Sequence, residues 1–273
     1  MKISDLGEIQ GDMLLFGGIY SNLEALKALL LVAKQNNIPA KNCICTGDIV
    51  AYCADAEGSV NAVRAFSCPV LAGNCEVQLS EDAQDCGCGF EEGTECSILS
   101  RGWYAHAVKQ VSDKNKLWMG SLPDRIVFTR NARRYAVIHG GATDIARFIW
   151  PVTDDATIAA EISTLIGQVG HIDHIIASHS GIPMQRVIGD TTWTNIGAIG
   201  MPCNNGSSLT CYGYLIEKEL IISELEYDSN VTISTMKSAG LIQGYQNTLQ
   251  SGYWPSQDIL PPEMRHQSFA KGW

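Results

Sequence analysis

No stretch of this chain of 273 residues approaches the ~18–20 consecutive apolar residues of a membrane-spanning helix, so no membrane is expected as a partner. Basic residues are scarce. The 19 Lys and Arg face 29 Asp and Glu, a formal net charge of −10, and such a surface repels duplex DNA and RNA. A small phosphate ester remains compatible with it, because a bound cation reverses the field locally. Charged residues amount to only 18% and apolar residues reach 45%, which excludes a disordered chain. There is no internal repeat and no low-complexity segment. The C-x2–4-C pairs of zinc sites are also missing, although the chain holds ten cysteines.

Several of those cysteines sit in apolar runs: Cys43 and Cys45 in KNCICTGD, Cys68 in FSCPV, Cys211 in LTCYGYL. Free cysteine behaves there as a small hydrophobe. Met1–Gly11 is polar and mixed, unlike a secretory leader. A reducing, cytoplasmic setting with free thiols is therefore expected.

Met13–Phe16 reads as a strand entering a tight loop at Gly17-Gly18. Asn22 can cap the next helix, where Leu23, Leu26, Leu29, Leu30 and Ala33 recur at helical spacing. Asn42–Thr46 reads as a buried strand ending at Gly47-Asp48, 58–66 as a helix, and Cys68–Ala72 as a third strand ending at Gly73-Asn74. This is the βαβ rhythm of a sheet covered by helices, in which ligands collect beyond the strand ends. Residues 80–96, acidic and rich in glycine and cysteine, interrupt it as a loop insertion. A helix over about 97–111 follows, then paired strands at Arg125–Thr129 and Tyr135–His139, a helix at 156–166, a strand at His174–Ser178, and strands at Thr191–Asn195, Thr210–Ile216 and Leu220–Leu225. The expected division is a domain over 1–228 and a helical, then Trp/Pro-rich tail over 229–273 packed on it. That tail could equally be a contact in a homo-oligomer.

Four candidate ligands lie just past strand ends: Asp48, Asn74, His139 and His179. A carboxylate, an amide oxygen and two imidazoles suit one divalent ion such as Mn, Fe, Zn or Mg. The order of segments resembles the calcineurin-like metallophosphoesterases, whose pattern runs D-x-H, G-D, G-N-H-[DE], H and G-H-x-H. Here the segments read Gly18-Ile19-Tyr20, Gly47-Asp48, Gly73-Asn74-Cys75-Glu76, His139-Gly140 and His179-Ser180-Gly181. FGGIYSNLEAL at Phe16–Leu26 and GDIVAY at Gly47–Tyr52 resemble the family's F-S-D-I-H-G-N-L-E-A-L and GDIVGY. Asn195, Gly197, Gly200 and Pro202 resemble its N-P-G-S-x-G-x-P.

The resemblance implies a four-layer α-β-β-α sandwich, an α/β fold of two mixed sheets flanked by helices. It also implies that the ligands of one ion are kept in Asp48, Asn74, His139 and His179. The three ligands private to the other ion are replaced by Gly18, Tyr20 and Gly181. Cys75 stands where the family has its catalytic His. Cys75 and Tyr20 are accordingly the candidates for assisting a leaving group, each set against a passive, space-filling role. Glu76 either orients a neighbour or simply favours the first turn of a helix.

Cys75, Cys86, Cys88 and Cys96 form a possible second cluster, weakened by their irregular spacing. Arg64, Arg101, Arg125, Arg147 and Arg186 could include a phosphate clamp. Trp103, Trp118, Trp150 and Trp254 are expected to pack. The functional expectation is a divergent metal-dependent hydrolase of a small phosphomonoester or phosphodiester, using a metal-activated water at the single retained site. The alternative is a catalytically weak or inactive regulatory module binding a phosphate ligand, a metal or a partner.

Overall fold

The computed structural model describes residues 1–266, so residues 267–273 of the expected tail lie outside the described residues. In chain order the elements are β1 (Ile3–Glu8), β2 (Met13–Phe16), α1 (Leu23–Gln35), β3 (Cys43–Cys45), α2 (Ala56–Phe66), α3 (Asn74–Ser80), α4 (Glu95–Gln110) and α5 (Asp113–Met119). There follow β4 (Arg125–Arg130), β5 (Arg133–Val137), α6 (Asp155–Val169), β6 (His174–Ala177), β7 (Met184–Ile188) and β8 (Thr191–Asn195). The last are β9 (Thr210–Ile216), β10 (Glu219–Leu225), α7 (Asn230–Ser238) and α8 (Tyr245–Ser251).

The strands form a six-stranded sheet, β1-β4-β5-β6-β8-β7, and a four-stranded sheet, β10-β9-β2-β3. Both are mixed. β5, β6 and β8 run parallel, as do β2 and β3, while β7–β8 and β9–β10 are antiparallel.

Strand alternation sorts the apolar side chains into layers, because successive residues point to opposite faces. Met13, Leu15 and Ile44 of the smaller sheet meet Ile126, Phe128, Tyr135, Val137 and Ile176 of the larger one in a core between the sheets. The intervening residues Leu14, Phe16, Cys43 and Cys45 turn outward, onto Leu26, Leu29 and Ala33 of α1 and Val60 and Val63 of α2. On the far side, Val127, Ala136, Ile175 and Ala177 pack on Ile158, Ile162 and Leu165 of α6. Two sheets with helices on both outer faces make the four-layer α-β-β-α sandwich. Burying each large aliphatic side chain contributes about 1.5–3 kcal/mol.

Helix α1 begins where expected. Asn22 Oδ1 accepts from Ala25 N at 3.2 Å, and Asn22 Nδ2 donates to Gly200 O at 3.0 Å, so the cap also ties the helix to the loop after β8 of the larger sheet. The expected strand at Cys68–Ala72 does not form. Its only ladder contact is an isolated parallel bridge between Val70 and Cys45. Pro69 has no N–H to donate, and the segment leaves β3 after two hydrogen bonds, Cys45 N to Pro69 O and Leu71 N to Cys45 O.

Two strands escape the sequence reading. β1 is mostly exposed, and β7 carries only alternate buried positions, so neither shows an apolar run. Beyond residue 228, Ile233, Met236, Tyr245 and Leu249 of α7 and α8 enter the same apolar cluster as α1 and α2. Among the described residues, no helix is long and apolar enough to cross a membrane.

Candidate metal centre

The chain leaves β2, β3, β5 and β6 at one end of the sandwich, and the loops there are stitched together. Thr46 Oγ1 donates to Ser178 Oγ at 2.6 Å across the two sheets. Gly47 approaches Gly73 so closely that a Cβ at 47 would stand 2.4 Å from Gly73 N, which only glycine tolerates. Glu76, in the first turn of α3, clamps this junction. Its Oε2 accepts from Asp48 N at 2.7 Å and Gly73 N at 2.8 Å, and its Oε1 accepts from Ile49 N at 2.8 Å. Burial first, and then the charge of Asp48, push the Glu76 carboxyl up to about 7. Both sequence readings hold: Glu76 sits in the first turn of α3, where it accepts from Gly73 N, and it orients the Asp48 loop.

The clamp places Asp48, in left-handed backbone at φ +52°, facing two imidazoles. Asp48 Oδ2 lies 3.3 Å from His139 Nε2 and 3.9 Å from His179 Nδ1. His139 Nε2 is also 2.9 Å from His179 Nδ1 and 3.0 Å from Asn74 Oδ1. The ligating atoms of Asp48, His139 and His179 all lie within 4.8 Å of one another, and all three residues are buried. The four expected ligands are thus brought together.

Their hydrogen bonds fix which atoms face inward. His139 Nδ1 donates to Thr46 O at 2.8 Å, leaving the Nε2 lone pair for the cluster. Asn74 Nδ2 donates to Cys86 O at 2.8 Å and to Cys88 Sγ at 3.3 Å, so its amide oxygen must point at His139. With a neutral His139, carboxylate and amide oxygens face an imidazole lone pair, and acceptor meets acceptor in a buried site. An Nδ1–H of His179 can satisfy only one of these acceptors, and a proton or a metal ion at the centre would satisfy the rest. Separations near 3 Å are also those of neighbouring ligands around an ion with bonds of roughly 2.1 Å at right angles. His179 presents Nδ1 to the cluster, and its ring also meets the Ala146 backbone. The donor set fits a divalent ion.

The protonation balance says the same. Burial alone would raise Asp48, but the charge of His139 and the close approach of both imidazoles hold its carboxyl well below the usual range. Burial would lower His139, yet Asp48 outweighs it and raises the ring. His179 is lowered, by burial and then by the charge of His139, despite the Asp48 carboxylate nearby. One positive charge is favoured in this cluster and a second is not.

Positions 18, 20 and 181, which the resemblance assigns to the other ion, also converge. The gap between them is filled. Tyr20 Cζ lies 2.8 Å from where a Cβ on Gly18 would stand, and Tyr20 OH lies 3.7 Å from the corresponding point on Gly181. The indole of Trp254, from the C-terminal segment, also stands 3.7 Å from that point on Gly181.

Cys75 is buried. Its hydrogen bond with Cys88 would lower the thiol, but burial and the charge of Asp48 push it well above the ordinary range. Of the possible four-cysteine cluster, Cys75, Cys86 and Cys88 come together and Cys96 does not join them. Asn74 gathers Cys75, Cys86 and Cys88 around its amide, whereas Cys96 interacts with Ser256 and Ile259, and among the described residues these cysteines form no metal-holding group.

The expected arginine clamp is engaged elsewhere. Arg64 lies over Trp118, Arg125 donates to backbone carbonyls including Ala142 O, Arg147 pairs with Glu161 and Arg186 with Asp155. None of the five lines the cavity beside the cluster. That cavity opens onto Asp48 and His179. Phe148, which the sequence gave no reason to single out, lays its ring 4.3 Å from that of His179.

No family model matches the sequence, and no curated protein matches it. Solved structures do. The metallophosphoesterase of Sphaerobacter thermophilus is 18% identical with a TM-score of 0.69, over 89% of this chain and 100% of its own. A hypothetical protein, PH1004, of Pyrococcus horikoshii OT3 is 14% identical with a TM-score of 0.71, over 88% of this chain and 98% of its own. The chain has the calcineurin-like metallophosphoesterase fold, and at these identities the likeness speaks to the fold alone.

Proposed function

We propose that this chain hydrolyses a small phosphomonoester or phosphodiester at a single divalent ion held by Asp48, Asn74, His139 and His179. The observation that carries this reading is the convergence of Asp48 Oδ2, Asn74 Oδ1 and His179 Nδ1 on His139 Nε2. A divalent ion bound there would polarise a phosphoryl oxygen and lower the pKa of a water. Glu76 holds the Asp48 loop against α3, and Thr46 O fixes the tautomer of His139. Tyr20 faces the adjoining cavity as a neutral phenol, kept protonated by burial, so it is the donor placed to assist a leaving oxygen. Cys75 does not line that cavity, and its buried thiol supports Asn74 rather than a leaving group.

A second reading rests on Tyr20 and Trp254 filling the space of the other ion. With half of a two-ion clamp gone, the chain would bind a phosphate ligand and turn it over weakly or not at all. The test is metal content per chain, with turnover of bis(4-nitrophenyl) phosphate and 4-nitrophenyl phosphate in Mn, Fe, Zn and Mg. One ion per chain with turnover abolished by His179→Ala supports the hydrolase. One ion without turnover supports the binding module, and no ion in any condition removes both. Ten unpaired cysteines support a reducing, cytoplasmic setting for either.

A further inference from the structure

The cavity beside the metal cluster has an unusual wall. Six aromatic side chains contribute to it: Tyr20, Tyr52, Phe90, Phe148, Tyr245 and Trp254. They come from five separate stretches of chain, and Tyr20, Tyr52 and Tyr245 pack on one another. Tyr52 packs edge-on against Tyr20 at 4.8 Å and lies 4.6 Å from Tyr245, and Trp254 Nε1 is pinned to Pro202 O at 2.7 Å. Among the described residues no Lys or Arg lines the cavity, and Asp48 is its one acidic residue.

Phosphate sites elsewhere use arginine forks or lysines to balance the ligand's charge. Here only the metal can do so. A divalent ion against the Asp48 carboxylate leaves a net charge of about +1. A phosphodiester carries a single negative charge, whereas a phosphomonoester approaches −2 above its second pKa near 6. The diester matches the site, and the monoester leaves a negative charge unbalanced in an apolar chamber, where that is costly. The same chamber rewards an uncharged ring through apolar burial and edge-to-face contacts.

We propose that the substrate is a monoanionic phosphodiester with an uncharged aromatic ester group, the phosphoryl at the Asp48–His179 end and the ring in the chamber closed by Phe90, Phe148 and Trp254. This rests on the metal-site reading above and narrows it. The chamber also excludes nucleoside polyphosphates, whose further charges would find no cation.

Binding of stable phosphonates to the Mn-loaded protein, by titration calorimetry, tests the inference without requiring turnover. Phenyl methylphosphonate should bind about tenfold or more tightly than methyl methylphosphonate, which has the same charge and no ring. It should also exceed dianionic phenylphosphonate at mildly alkaline pH. Trp254→Ala, with its metal content and circular dichroism checked, should erase most of the ring preference, read as the ratio of the phenyl methylphosphonate and methyl methylphosphonate affinities. Phe90→Lys, on the half-buried loop, should shift preference toward phenylphosphonate. Equal affinity for the two methylphosphonates overturns the chamber proposal and leaves the metal reading standing. Tighter binding of phenylphosphonate by the unsubstituted protein overturns the charge argument. Failure of both methylphosphonates to bind overturns the metal reading along with it.

Discussion

The ring of Tyr20 takes the space that any side chain on Gly18 would need, with its Cζ 2.8 Å from the point where a Cβ would stand. The two positions are therefore coupled. Where the metallophosphoesterase pattern has two ligands, this chain has a filler and the glycine that makes room for it.

Gly18→Asp alone should create no second metal site. It forces an acidic side chain onto Tyr20 and Ala198, at a backbone position with φ +55°. The expected cost is about 1–3 kcal/mol of overpacking, read by chemical denaturation, with metal content unchanged. The combination Gly18→Asp, Tyr20→His and Gly181→His relieves the contact with the Tyr20 ring, leaving that with Ala198, and should raise metal content above that of the starting protein, measured by elemental analysis.

Glu76→Gln should weaken the site without touching the ion. A carboxamide offers one acceptor oxygen to a clamp of three N–H groups held by two carboxylate oxygens, and its own N–H groups face donors. The expected cost is about 1–3 kcal/mol in stability and on the order of tenfold in metal affinity. Denaturation and metal titration of the same variant check both numbers.

Divalent metal should stabilise the fold and a chelator should reverse the effect. An ion that binds only the folded cluster at about 100 times its dissociation constant adds about 2.7 kcal/mol. For a chain of this size that corresponds to a rise of roughly 5–10 °C in melting temperature. His139→Ala, lacking the nitrogen on which the other ligands converge, should show no such rise.

His174 provides a pH signature away from the metal. Burial, and then the charge of Arg133, lower its ring to about 4, while its Nε2 meets Thr194 Oγ1 at 2.7 Å. A base whose folded pKa is depressed stays neutral in the fold and takes up its proton only on unfolding. Its contribution is fully present above about 6.5 and is lost as pH falls from there toward 4. The His174 ring resonances should stay unshifted down to about pH 5 in an NMR titration.

The sequence was most legible where backbone chemistry is local. Glycine-closed strand ends and helical spacing in Leu26, Leu29 and Ala33 announced β2, β3 and α1, and Asn22 announced its own cap. The strands that were missed, β1 and β7, lie at the edges of the larger sheet, where half-exposed side chains carry little apolar pattern. The arginines were misleading because a guanidinium serves a carboxylate or a carbonyl as readily as a phosphate. Only packing shows which one Arg125 or Arg147 has found.

By itself the sequence indicated the fold and singled out Asp48, His139 and His179, which follow strands whose parallel ends meet at one edge, and Asn74, which opens α3 after the isolated bridge at Val70. Tertiary structure alone decided what surrounds them. That the Asn74 amide is aimed by Cys86 O, twelve residues on, depends on how the loop folds back. That Trp254 stands beside Gly181 depends on a C-terminal segment returning to the site across more than seventy residues of chain. Such contacts follow from the filling of space between distant segments, and no local spacing encodes them.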